Sequence, residues 1–402
     1  MTEERPKLRN LNVSAAVRGG RSGVLLSDPL KLSDKVMFVP SPLSYVLGHM
    51  NGRRTLRELA VALQLRTGYI LPLSAIEELV RELDEALFLE NERFLAAYRR
   101  ALEDYRRAPT RELAFAGESY PEDPGELEEM FRNLMPEEEE APPLRARGLI
   151  TPHIDFQRGG RVYGRTWAAA RKALEGAELF VILGIDHHSE GADFTLTLKD
   201  FRTPWGVAPA ARDEILMLGE VLGEEAFRDE LHHRSEHSVE FALLWLHYLK
   251  RDIKILPVLC GSFQRFLEAG RDPQEDPKIG KFIEALRALP PSTFLVAAGD
   301  LSHVGPAFGD ALPLGLLEKV KIKSFDEELM KIICEGEARD LFLKMKAEGM
   351  EKKVCGFPAF YILKAVLEGS KGIKVDYEQC PADERGTSVV SVCGMLLGYP
   401  QD

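Results

Sequence analysis

At roughly 100–200 residues per domain, a chain of 402 residues is expected to hold two domains. Hydrophobic residues make up 45% and charged residues 29%, which excludes a disordered chain. Lys and Arg number 52 against 64 Asp and Glu, and the net charge of −12 excludes whole-molecule attraction to nucleic acid or to an anionic membrane.

The first hundred residues read as short helices behind a strand or hairpin at residues 23–39. Ser41-Pro42 marks a helix start, with Leu43, Val46 and Leu47 at helical spacing, and Asn51-Gly52 marks a turn. Thr55 with Glu58, and Ser74 with Glu77, have the spacing of capping boxes. Beyond Ser74, Ile76, Leu79, Val80, Leu83 and Leu87 form one apolar stripe. Leu87-Phe88-Leu89 reads as an edge strand. Residues 92–107 read as a charged helix that closes a small, mainly helical domain over residues 1–107. The helix at 74–88 carries Glu77, Glu78, Glu82, Asp84 and Glu85 against Arg81, so it would repel phosphate, and no nucleic-acid partner is expected. An acidic, proline-closed loop follows at residues 137–143.

Residues 108–402 read as α/β, a central sheet flanked by helices. Short apolar runs at 148–150, 179–183, 253–259, 293–298 and 388–392 alternate with helical patterns at 162–174, 213–222, 239–249, 277–289, 324–333 and 358–367. No apolar run approaches the ~18–20 residues needed to cross a bilayer. Residues 1–20 mix acids and bases without an apolar core, so no secretory leader is expected. Cys260, Cys334, Cys355, Cys380 and Cys393 are scattered without close pairs, which suits reduced thiols and a cytoplasmic setting.

One pattern recurs: a buried strand, a turn, then a histidine. It appears at Thr151-Pro152-His153, at Gly184-Ile185-Asp186-His187-His188 and at Gly299-Asp300-Leu301-Ser302-His303. Ligands in open α/β sheets bind beyond the carboxyl ends of the strands, so these histidines can share one crevice. Successive residues of extended chain point to opposite sides, so only one of His187 and His188 is expected to face it. Cys355 precedes Gly356-Phe357-Pro358 and a helix start, where the dipole favours a thiolate; the alternative is an inert buried thiol. Glu236-His237-Ser238-Val239-Glu240 opens another helix, read either as a solvated helix start or as the lining of a metal site. His232-His233 lies among charges and is expected at the surface, and His49 and His247 receive no role. No P-loop, zinc-finger spacing, G-x-S-x-G or dinucleotide fingerprint in its required context is present.

Taken in order, Pro152-His153, Gly184 to His188, Phe201-Arg202-Thr203-Pro204, Glu236 to Glu240, Leu256 to Gly261, Asp300-Leu301-Ser302-His303 and Cys355-Gly356 resemble the Memo family. Ala116-Gly117-Glu118-Ser119-Tyr120-Pro121 resembles the start of that family's domain, and the resemblance covers about residues 111–400. Bacterial and archaeal members are known as protein B of the AmmeMemoRadiSam system. Their fold resembles the class III, non-haem-iron extradiol dioxygenases. The resemblance implies a metal site on His153, His187 and Cys355. It also places the acid/base histidine of the dioxygenases on His303, with Asp300 beside it. The chain departs from the family at Ile154-Asp155-Phe156 and Gly184-Ile185-Asp186, where Asp155 and Asp186 add carboxylates near the implied ligands. Asn51-Gly52, Thr55-Leu56-Arg57-Glu58-Leu59 and Leu87-Phe88-Leu89 resemble small winged-helix modules of the PqqD-like type, which hold peptides or partner proteins near radical SAM enzymes.

Two functions follow as expectations. The first is a redox enzyme dependent on Fe(II) or Cu(I), with Zn also admissible, acting on a small molecule alongside a radical SAM partner. In it two histidines and a thiolate hold the metal, His303 moves protons, and Asp155, Asp186, His188, Glu236 and His237 stand around the ligands. The second is a non-enzymatic metal-binding scaffold that docks a peptide or partner through residues 1–107. A rival ligand set makes Asp155 or Asp186 the third ligand and Cys355 an ordinary core thiol.

Overall fold

The computed structural model describes residues 4–137, 143–189 and 191–401, so residues 138–142 of the expected acidic loop lie outside the described residues. The chain divides into two compact units, Met1–Ala108 and Pro109–Asp402.

The first unit holds an antiparallel sheet of β1 (Asn12–Arg18), β2 (Arg21–Ser27) and β3 (Met37–Pro40). β2 and β3 fall in the expected segment, whereas β1 lies upstream of it. Six of the seven β1 residues are exposed, so no buried apolar alternation marks it in the sequence. Helix Leu56–Thr67 starts in the Thr55–Glu58 capping box, as its spacing requires. Ser74 does not cap, because the next helix, Leu73–Glu85, begins one residue earlier behind Pro72. The Ser41-Pro42 start yields only the single turn Ser44–Leu47. Leu87 takes a positive φ of 61°, and Leu89 forms one bridge with Leu8. Helix Glu92–Arg107 ends the unit. Leu26, Val39, Leu56, Leu59, Leu63, Ile76, Leu83 and Phe88 are buried in one cluster.

The second unit contributes β4 (Thr110–Arg111), β5 (Leu144–Thr151), β6 (Leu179–Ile185), β7 (Phe194–Leu196), β8 (Asp200–Thr203) and β9 (Gly206–Ala208). It continues with β10 (Lys254–Cys260), β11 (Thr293–Ala298), β12 (His303–Val304), β13 (Lys371–Pro381) and β14 (Val389–Pro400). Its eight-stranded sheet runs β12-β14-β5-β11-β6-β10-β7, with β13 paired to β14, and β4, β8 and β9 form a separate small sheet. The inner four strands, β5, β11, β6 and β10, are parallel. The near-continuous apolar runs of β6, β10 and β11 follow from burial on both faces. Helices Phe156–Glu175 and His237–Leu249 cover one face, with Trp167, Tyr163, Phe241 and Trp245 in its core. Helices Arg212–Leu222, Pro277–Arg287, Leu316–Glu335 and Phe357–Val366 cover the other. No helix among the described residues is long and apolar enough to cross a membrane.

Candidate metal centre

The chain crosses from β5 to β6 through helix Phe156–Glu175 and leaves between them a position that β11 later fills. His153 and His187 therefore leave strand ends that are not adjacent in the sheet. Asp300, just past β11, sits between them in the order of strands. Its Oδ1 accepts from the backbone N–H of His153 at 2.9 Å, and its Oδ2 lies 3.7 Å from His153 Nε2. The His153 side chain is buried, and its Nδ1 faces Ala298 O at 3.3 Å. A carbonyl only accepts, so Nδ1 carries the proton and the Nε2 lone pair is directed elsewhere. Cys355 Sγ lies 3.2 Å from that Nε2, and the His153 and His187 ring centres are 5.0 Å apart.

Cys355 reaches this point from the loop before helix Phe357–Val366, whose first turn contains Pro358 as expected. Two glycines let that loop close on the Asp300 turn. A Cβ on Gly299 would stand 2.5 Å from Gly356 Cα, and one on Gly356 would stand 2.9 Å from Asp300 O. In their place the Gly356 N–H donates to Asp300 O at 3.0 Å, and Cys355 Sγ approaches the same oxygen at 3.6 Å.

Glu236 caps helix His237–Leu249 by accepting from Ser238 N at 3.0 Å. It also receives His187 Nδ1 at 3.0 Å and His237 Nδ1 at 3.1 Å. The reading of this segment as a solvated helix start is overturned, because Glu236 and Glu240 are both buried. Glu240 turns away from Glu236 and binds Arg111, Tyr120 and the backbone N–H groups of Ala114 and Phe115. This fastens the start of the unit to the helix that carries His237.

Electrostatics separate the histidines. Burial, reinforced by His237 and His187, holds His153 well below the ordinary imidazole range. Burial alone would lower His187 too, but the Glu236 carboxylate and Cys355 together outweigh it and raise His187 well above that range. Burial would raise Glu236, yet His187 and His237 hold it well below the usual carboxylate range. Burial raises the Cys355 thiol despite its bond to His187, so the helix start does not by itself yield a thiolate. Burial raises Asp300 to about 6 and lowers His303 to about 4. His303 starts β12, pairs with Val390 and sets its Nδ1 on Leu301 O at 3.1 Å. It lies within electrostatic reach of His153 and His187.

The remaining expected residues point elsewhere. Asp155 caps helix Phe156–Glu175 and pairs with Arg158. Asp186 accepts from His232 Nδ1 at 3.0 Å and from the His188 N–H at 3.0 Å. The His188 ring lies 5.8 Å from that of His232, so His187 is the member of the pair that meets His153. His232 and His233 are buried, not exposed as expected, because Asp186 and Thr195 O receive their ring nitrogens. Among the described residues, donor atoms within 4.8 Å of one another form the sets His153, His187, Cys355 and His187, Glu236, His237. A cavity of about 300 Å³ opens beside the first set. His187 and Cys355 line it, with Phe263, Met345, Met350 and Lys353 on its walls. Those wall residues carry no sequence signal, because only the tertiary fold brings them to His187.

A family model described as Memo-like protein matches residues 111–396. The chain is 26% identical over 381 residues to a MEMO1 family protein of Aquifex aeolicus, covering 93% of this chain and 95% of that one. That alignment is longer than Pro109–Asp402, so it also takes in part of the first unit. A MEMO1 family protein of Thermus thermophilus is 31% identical over 290 residues, 71% of this chain and 82% of that one. One of Pyrococcus furiosus is 28% identical over 256 residues, 61% of this chain and 83% of that one.

Proposed function

The chain belongs to the Memo family, and from that premise we propose that it holds one soft or borderline metal ion on His153, His187 and Cys355 for redox chemistry. The observation that carries this reading is the convergence of three donor atoms within 4.8 Å of one another. Two ligands on one tetrahedral ion, with nitrogen at ~2.1 Å and sulfur at ~2.3 Å, stand about 3.6 Å apart. The 3.2 Å between Cys355 Sγ and His153 Nε2 fits such a pair with little adjustment. Two imidazoles and a thiolate suit Fe(II), Cu(I) or Zn and suit Mg or Ca poorly. A redox-active ion held by these residues would bind and polarise a small-molecule ligand and exchange electrons with it.

The protein's own groups then have distinct tasks. Asp300 fixes the His153 backbone, and Glu236 fixes the His187 ring so that its Nε2 is free for the metal. His303, neutral at physiological pH, exchanges a proton with the bound small molecule. The cavity beside Cys355 admits that molecule. Met1–Ala108 docks a peptide or a radical SAM partner, for which its exposed Leu65, Tyr69 and Ile70 offer apolar contact. A second reading, a metal-binding scaffold without turnover, draws on Cys355 standing where ring-cleaving centres use a carboxylate. Metal analysis of protein purified without air, for wild type, His153→Ala, His187→Ala and Cys355→Ser, tests the ligand set. Oxygen consumption with catechols then separates the two readings.

A further inference from the structure

β5 and β11 run in parallel, so their carboxyl ends lead to His153 and Asp300 while their amino ends share the opposite edge of the sheet. At ~3.3 Å per residue, the length of β5 keeps the two edges more than ~20 Å apart. A second cavity, of about 840 Å³, opens at the amino ends. Its volume lies in the range of small-molecule sites and exceeds that of the cavity beside Cys355. Ala169, Ala173, Ala177 and Phe294 give it an apolar wall. Arg145, Arg147 and Lys172 stand in the same lining, and none of its described residues is acidic.

These cations differ from others of the unit. Arg158, Arg161, Arg212 and Arg265 each pair with a carboxylate. Arg145 and Lys172 are exposed and make no ion pair or side-chain hydrogen bond among the described residues. Arg147 is aimed by an irregularity of the strand. Gly148 pairs with Leu397 and Ala146 with Gly398, so Arg147 is the extra residue of a bulge in β5. A Cβ on Gly398 would stand 2.1 Å from Arg145 O, so the bulge needs glycine opposite it. Arg147 Nε and Nη2 both donate to Thr293 O, at 3.3 and 3.1 Å, which leaves Nη1 without an acceptor among the described residues. Thr293, in the same lining, is buried, and its Oγ1 has no partner. The cavity is thus ringed by donors that lack an acceptor.

We infer that this cavity binds a small amphipathic anion, its oxyanion head on Arg145, Arg147 and Lys172 and its apolar body along Ala169, Ala173 and Phe294. Guanidinium forks match the oxygens of a carboxylate or a phosphate, and the apolar wall beside them strengthens the attraction by excluding water. Binding makes and breaks no covalent bond. It needs neither the metal nor His153, so it stands apart from the metal reading.

The test titrates the full chain calorimetrically with octanoate, octyl phosphate and neutral octanamide. Each anion is expected to occupy one site with a Kd below about 1 mM, and octanamide to bind at least tenfold more weakly. The tighter anion identifies the head as a carboxylate or a phosphate monoester. Arg145→Gln combined with Lys172→Gln removes two exposed, unpaired cations, so the fold is kept, and near-ultraviolet circular dichroism checks it. That protein is expected to bind the anions at least about tenfold more weakly, and Ala173→Phe, which fills the apolar wall, to do the same. His153→Ala is expected to bind them within about twofold of wild type. Absence of binding, equal affinity for octanamide, or wild-type affinity in both cavity variants overturns the inference. So does loss of binding in His153→Ala, which would place the anion at the metal centre.

Discussion

Replacing Cys355 with serine keeps the shape of the side chain and exchanges a soft donor for a hard, neutral one. Sγ stands 3.2 Å from His153 Nε2, so the change acts at the ligand position and leaves the loop in place. In the metal-free protein, burial keeps the thiol protonated. Metal binding near neutral pH therefore displaces about one proton more in wild type than in Cys355→Ser. Loss of the thiolate is expected to weaken Cu(I) at least about a hundredfold, ~2.7 kcal/mol, and Fe(II) less. Competition against a chromophoric Cu(I) chelator measures the affinity, and calorimetry in paired buffers counts the protons. Unchanged Cu(I) affinity and an unchanged proton count would refute the reasoning. So would a site emptied by Asp155→Asn or Asp186→Asn while Cys355→Ser stays full.

His303→Ala is expected to keep its metal within about twofold while losing oxidative turnover by about a hundredfold or more, since general acid–base groups contribute on that scale. Metal content equal to that of His153→Ala would contradict the assignment. In Gly299→Ala, a Cβ placed 2.5 Å from Gly356 Cα forces the Cys355 loop away from Asp300. Metal affinity is expected to fall about tenfold or more with the circular dichroism unchanged, and wild-type affinity would show that this contact does not set the site. Burial lowers His233 to about 4, below its ordinary 6.5, so the fold favours its neutral form. That stability is complete above pH 6.5 and is lost as pH falls towards 4, by about 2 kcal/mol at pH 5. Urea midpoints of the metal-free protein at pH 7 and pH 5 measure the loss. His233→Gln should flatten the difference, and an equal difference in the variant would rule this source out.

The sequence showed β6, β10 and β11 plainly because burial on both faces leaves near-continuous apolar runs, whereas only residues 148–150 of β5 stood out because Arg145 and Arg147 interrupt its first half. β13 was hidden because it is mostly half-exposed, and β7, β8 and β9 because three or four residues are too few to set a period. His153, His187 and Cys355 could be singled out because each follows a strand or precedes a helix start. The clamp by Glu236 could not be fixed, since its partner His187 lies 49 residues away and only the sheet joins them. His232 and His233 looked exposed because Arg228, Asp229, Glu230 and Arg234 surround them in sequence. The fold buries them against Asp186 and Thr195, which one-dimensional polarity does not reveal.

X-ray absorption at the metal edge of the full chain, purified without air and loaded with one equivalent of Cu(I) or Zn(II), tests the central claim most directly. The account requires a first coordination shell of one sulfur and two imidazole nitrogens, with the sulfur absent in Cys355→Ser. A shell of nitrogen and oxygen alone, identical in wild type and Cys355→Ser, would contradict it.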